Sequence, residues 1–194
     1  LADASIVIEV ADGHAHRATV DSDIERVDTL GGEPWGRASL SRGEDLGPVD
    51  AAMSISQVAL AAYLAGAGDR LLRATAEYAI DRVQFRTAIG AFQGVAHPIA
   101  EISIRLAAAR TLARLAAWAI DRGDPGAAAM ATTARLSAAQ AALAMSYQSH
   151  QTFGAMGFTL EGPVAAVSAR VRQLAMLLPH PAAMRDTVLA AHGL

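Results

Sequence analysis

A chain of 194 residues can form one domain, or a domain with a small appendage. Its 53% hydrophobic content, with only 5% aromatics, leans on alanine and leucine, the residues of close-packed helices. A net charge of −3 excludes the concentrated basic face that nucleic acid needs, and the absence of cysteine excludes disulfides, thiolate zinc sites and a thiol nucleophile and suits a cytoplasmic setting.

The opening Leu1-Ala2-Asp3-Ala4-Ser5 has no basic stretch, so no secretory leader is expected. Ile6 to Val10 is rich in β-branched residues, Asp12-Gly13 is a hairpin signal, and His14 to Val20 can return as a second strand. Beyond Gly31-Gly32-Glu33-Pro34, a further strand is expected near Arg37 to Leu40. Three short strands without a covering helix are a marginal unit. Residues 1–48 therefore read as a partial β-domain that needs support from the helices or from another chain. Ser41 to Pro48, polar and glycine-rich, reads as a linker.

From residue 49 to 194 the period is helical. Leu60, Leu64, Ala67, Leu71 and Tyr78 mark one face of a helix over Asp50 to Val83. Pro98 marks the next start, and Ile102, Leu106, Ala109, Ala113, Ala116 and Ile120 form its stripe up to Gly123. Asp124-Pro125 offers an N-cap followed by proline at the first helical position. Thr133, Leu136, Gln140, Leu143 and Tyr147 carry the third pattern to Ser149. Shorter helices are expected from Pro163 to Leu177 and from Ala182 to Ala191. Arg105, Arg110 and Arg114 exclude a membrane span within Ile102 to Ile120. The pattern predicts a mainly α fold, a soluble antiparallel bundle behind a short β remnant.

Two segments mix polar groups with glycine where a core helix carries neither. In the first, Arg82 and Arg86 flank Phe85, with Gln93 further on. Guanidinium groups there can bind cofactor phosphates, and a glutamine suits an adenine edge or a ribose. Arginines at a helix C-terminus also simply meet its dipole. In the second, Gln151 precedes Gly154, Ala155 and Gly157. Small residues there let a ligand reach the main chain, and they equally serve as a glycine cap and turn.

Taken together, these segments resemble the carboxy-terminal helical domain of the acyl-CoA dehydrogenase flavoproteins. The first family motif is matched at Tyr78, Arg82, Phe85, Ile89, Gly90, Phe92 and Gln93, and the second at Gln151, Gly154, Gly157 and Phe158, continued by Glu161 and Pro163. The resemblance runs from Val49 to the end, and the first fifty residues look like the tail of the family's middle β-domain. It implies FAD held across a dimer interface. Arg82 would face the pyrophosphate, with Phe85 and Gln93 on the adenosine side. Gln151 and the backbone of Gly154, Ala155 and Gly157 would hold the same moiety from another direction.

The sequence departs from the family in four places. Arg86 replaces the glycine after Phe85, and Ala155 replaces the second glycine of the later motif. The family's carboxylate base falls on Leu178, or in some members on Ser56 beside Gln57, and none of these is an acid. His180 lies near the first position. No catalytic residue is therefore assigned. The resemblance implies a subunit that completes the flavin site of a second acyl-CoA dehydrogenase-like subunit acting on an acyl-CoA, as a dimer or tetramer. A helical interaction module that has lost flavin is the alternative, and the sequence can also be read as part of a longer chain. His14 and His16 are expected as exposed strand residues, not metal ligands, and Glu77 and Asp81 as surface partners of Arg73 and Arg82.

Overall fold

The computed structural model describes residues 6–177, Pro179, residues 181–191 and Gly193. Strands β1 (Val7–Ala11) and β2 (His14–Val20) form the expected hairpin. Asp12 and Gly13 turn it with φ of 52° and 80°, the left-handed pair that matches strand twist. A second hairpin, β3 (Glu25–Val27) with β4 (Trp35–Arg37), was not evident in the polar run that contains β3.

Ser41 to Pro48 is not a linker. It belongs to β5 (Leu40–Pro48), which pairs with β2 and completes the sheet order β1-β2-β5. Its glycines misled the reading because they serve the strand itself. The register slips on either side of His16, a Cβ at Gly43 would stand 2.9 Å from the Arg17 carbonyl, and Gly47 has φ of 103°. A bulged, exposed edge strand needs such residues. His14 and His16 are half-buried, not exposed, and His14 Nδ1 bonds Asp45 at 2.9 Å. Among the described residues no cluster of ligands could hold a metal ion.

The sheet unit is tied to the helices. The Val49 amide donates to the Gly13 carbonyl (3.0 Å). The Gly31 amide donates to Gln173 Oε1, while Glu33 accepts from Arg170 Nε (2.8 Å) and from Gln173.

Five helices follow: α1 (Asp50–Asp81), α2 (Gln93–Asp121), α3 (Ala127–Phe153), α4 (Ala165–Ala175) and α5 (Pro181–Ala191). A two-residue hairpin, β6 (Val83–Gln84) and β7 (Thr87–Ala88), links α1 to α2. Pro98 does not open α2. The Phe92 carbonyl already accepts from Val95 and Ala96, each at 2.9 Å, so the proline sits inside the helix near its start and removes a single donor. Asp124 is not the N-cap of α3, which is Gly126; Asp124 Oδ1 instead accepts from the Gly126 amide at 2.7 Å in the turn that precedes the helix. α1 is long and apolar enough by composition to cross a bilayer, yet it packs against α2, α3 and α4.

The stripes expected on α1 and α2 supply the core, with Leu64, Leu71, Leu106, Ala109 and Ala116 fully buried. The stripe expected on α3 holds only in part, with Leu143 packed against the core. Gln140 and Tyr147 are exposed, whereas Ala131, Ala134, Ala138, Ala142 and Met145 are buried. α3 lies against α1, α2, α4 and α5, so most of its inward positions are alanine and serine. Gly68 shows how close this packing is. A Cβ there would meet Leu106 Cδ2 at 2.5 Å and the Ala142 Cα at 3.4 Å. We expect Gly68→Val to lower the unfolding free energy by about 2–3 kcal/mol, read from urea unfolding of the full chain.

Candidate functional site

Because α1, α2 and α3 alternate in direction, the end of α1, the start of α2 and the end of α3 meet at one end of the bundle. Side chains lock the two segments together there. Tyr78 stacks on Phe153 with centroids 4.2 Å apart at 17°. One turn earlier, Thr75 Oγ1 and Ser149 Oγ are buried and 2.8 Å apart. Phe153 was not singled out in the sequence reading, although it lies inside the second segment.

Arg82 caps α1 in an extended conformation, its amide donating to Tyr78 and its carbonyl accepting from Ile89. The hairpin then turns at Phe85 and Arg86, with φ of 50° and 70°. Both are left-handed, a conformation costly for any residue with a Cβ. Phe85 is 90% exposed and meets the edge of Phe92 at 6.3 Å. Gly90 packs under the hairpin, where a Cβ would stand 3.0 Å from the Ala79 carbonyl. Arg82, Arg86, Gln93 and Gln151 are all exposed. Their side chains make no hydrogen bond or ion pair among the described residues. The surface pairs expected of Glu77 and Asp81 with Arg73 and Arg82 do not form there either.

Gly154 ends α3 with φ of 59° and ψ of −135°, a region open to glycine alone. Residues 154–158 form a 3₁₀ turn in which Gly154, Ala155 and Met156 are exposed and Gly157 is buried. Ala155 keeps a negative φ, so its methyl does not crowd the backbone. The departure at Arg86 does crowd it, because the hairpin asks for glycine at that point.

The opposite end of the bundle holds a second polar centre that sequence reasoning missed. Arg135, 1% exposed, is the single charged residue in the sequence of α3. Its guanidinium donates to Gln57 Oε1 (2.9 Å) at the start of α1 and to the Leu177 carbonyl after α4. Burial pulls its pKa below the usual arginine value. A lone cation in a helix of alanines was the available signal. Ser56 is exposed beside Gln57, and Leu178 and His180 lie outside the described residues. A cleft of about 610 Å³ opens between α1, α4 and the Gly31 turn, with Tyr63, Arg70 and Arg170 on its wall. It is lined by none of the residues of the two segments.

What the first end can do chemically follows from its donors. Guanidinium groups and carboxamides without internal partners, beside an exposed aromatic ring and a glycine turn, suit a phosphorylated, ring-bearing ligand. In chemical type these donors match the adenosine diphosphate half of a dinucleotide.

Comparison with known proteins places this end in context. Residues 49–178 match the family model described as acyl-CoA dehydrogenase, C-terminal domain. The acyl-CoA dehydrogenase IpdE2 of Mycobacterium tuberculosis is 32% identical over 181 residues, covering 92% of this chain and 54% of that protein. The ChsE4-ChsE5 complex of the same organism contains a chain superposable with a TM-score of 0.83 at 23% identity, over 97% of this chain and 55% of that one. A structure described as PigA with FAD and proline superposes with a TM-score of 0.80 at 21% identity, over 93% of this chain and 52% of that one. The chain thus spans about half the length of IpdE2 and about a third of other curated relatives. We expect Arg86→Gly to raise stability by about 0.5–1 kcal/mol by relieving the left-handed backbone, read from the urea midpoint.

Proposed function

This chain belongs to the acyl-CoA dehydrogenase family, and we propose that it is a subunit of an FAD-dependent acyl-CoA dehydrogenase that completes a partner subunit's flavin site without supplying a catalytic base. One observation carries the reading. Arg82, Gln93 and Gln151 stand exposed and unengaged at the bundle end where Tyr78 and Phe153 fasten the two segments to each other.

In the assembled enzyme, Arg82 would neutralise the pyrophosphate of FAD, and Gln93 and Gln151 would hydrogen-bond its adenosine side. Phe85 would cover the adenosine, and the turn from Gly154 through Ala155 to Gly157 would let the ligand approach the main chain. When bound, FAD supplies the hydride acceptor for α,β-dehydrogenation of an acyl-CoA. The proton at the α-carbon needs a carboxylate. Neither Ser56 nor Leu178 is one, so the partner supplies it. The partner is a second acyl-CoA dehydrogenase-like subunit, in a dimer or tetramer. IpdE2, a relative along nearly the whole of this chain, supports the family chemistry, and the likeness to a chain of a two-component complex is consistent with a heteromeric assembly.

A second reading, a helical interaction module without flavin, draws on Arg86 in its strained turn. Co-expression with candidate partner chains separates the two. The subunit reading expects a yellow complex whose FAD dissociation constant rises about 10- to 100-fold in Arg82→Ala, the loss of one charge-assisted contact of about 1.5–3 kcal/mol. Gln151→Ala is expected to weaken it about 5- to 10-fold, a loss of about 1 kcal/mol. Flavin absorbance of the purified complexes reads both. Complexes that assemble yet stay colourless with every partner favour the module.

A further inference from the structure

We infer that His150 is a positioning residue for the 154–158 turn, and that its protonation loosens that turn, so that dinucleotide retention weakens as the pH falls. The dinucleotide part of this inference rests on the flavin reading above. The positioning part rests on geometry alone.

His150 lies in the last turn of α3, one residue before Gln151. Its Nε2 is 2.8 Å from Ser168 Oγ on α4, and that hydroxyl is 2.6 Å from Ser146 Oγ. Both serines are buried. The ring stacks on Phe158, with centroids 4.5 Å apart at 27°. A Cβ at Gly157 would stand 3.2 Å from the His150 Cα and 3.3 Å from its Nδ1. Only a glycine brings the turn down onto this ring. The imidazole is thus a wedge between α4 and a turn whose other residues, Gly154, Ala155 and Met156, are exposed.

The groups around the ring disfavour a second proton. Burial acts first, and the Arg172 guanidinium of α4 second, while the Gly157 backbone pulls weakly the other way; together they lower the His150 pKa below the ordinary histidine value. Arg172 itself lies 5.3 Å from the centre of the Tyr147 ring. Ser146 on its own helix and Ser168 on α4 are neutral, and the turn contributes no charge. The sign follows. Above about pH 6.5 the imidazole is neutral in folded and unfolded chains, and its packing is intact. As pH falls below that value the unfolded chain takes the proton first, so the folded turn loses stability on the acid side.

Hydrogen exchange across residues 152–160, corrected for intrinsic rates, tests this in the assembled complex at about pH 7.5 and about pH 5.5, either side of the ordinary histidine range. The wild type is expected to lose several-fold protection at the lower pH, in parallel with FAD affinity. His150→Gln is expected to show the same protection at both. Should that variant fail to fold, Ser168→Ala, which removes the Nε2 partner, is expected to lower protection already at the higher pH. Identical pH profiles in wild type and His150→Gln, or unchanged protection in Ser168→Ala, overturn the role of His150. A complex without flavin at either pH, whose turn still responds through His150, overturns the flavin reading alone.

Discussion

A side chain at position 68 would collide with Leu106 and press on the backbone at Ala142. That close approach of α1 to α2 and α3 sets the geometry of the bundle. Alanines such as Ala61, Ala65, Ala138 and Ala142, all nearly inaccessible, let the long helices lie near one another, where dispersion contacts are dense. With α2 running back alongside both, the close of α1, the opening of α2 and the close of α3 are brought to one end. Tyr78 on Phe153 and Thr75 on Ser149 then fix the two loops relative to each other. Polar groups on those loops are left facing outward.

The two ends of the bundle carry different chemistry. At one, Arg82, Gln93 and Gln151 are exposed. At the other, Arg135 is buried and joins Gln57 to the Leu177 carbonyl, so the start of α1 and the exit of α4 are held by a single side chain. Ser56, one of the positions where the family resemblance looks for a base, is the neighbour of Gln57 at that end.

Much of this was legible in the sequence, for physical reasons. The first hairpin announced itself through Asp12-Gly13, and α1 and α2 through leucines spaced by three and four, because large side chains on an amphipathic face can only point one way. α3 was misread for the opposite reason. On a helix surrounded by others, alanine and serine go inward and Tyr147 goes outward, so counting bulky residues selects the wrong face. β5 is hidden in the sequence because glycine and charge on a bulged edge strand look like a loop. The candidate segments were legible as residues, since Arg82 and Gln151 stand out beside glycines. They were not legible as an arrangement. Nothing in the sequence showed that Phe153 would meet Tyr78, that Phe85 and Arg86 would both turn left-handed, or that His150 would be wedged beneath the glycine turn.

The most direct test of the account is a crystal structure of this chain bound to its partner subunit with flavin present. The account predicts density for the adenosine diphosphate half of FAD at the subunit boundary, with the pyrophosphate on Arg82 and the adenosine between Phe85 and the turn that follows Gln151. A boundary in which side chains of the neighbour fill that space, or in which Arg82 and Gln151 face bulk solvent far from any flavin, would contradict it.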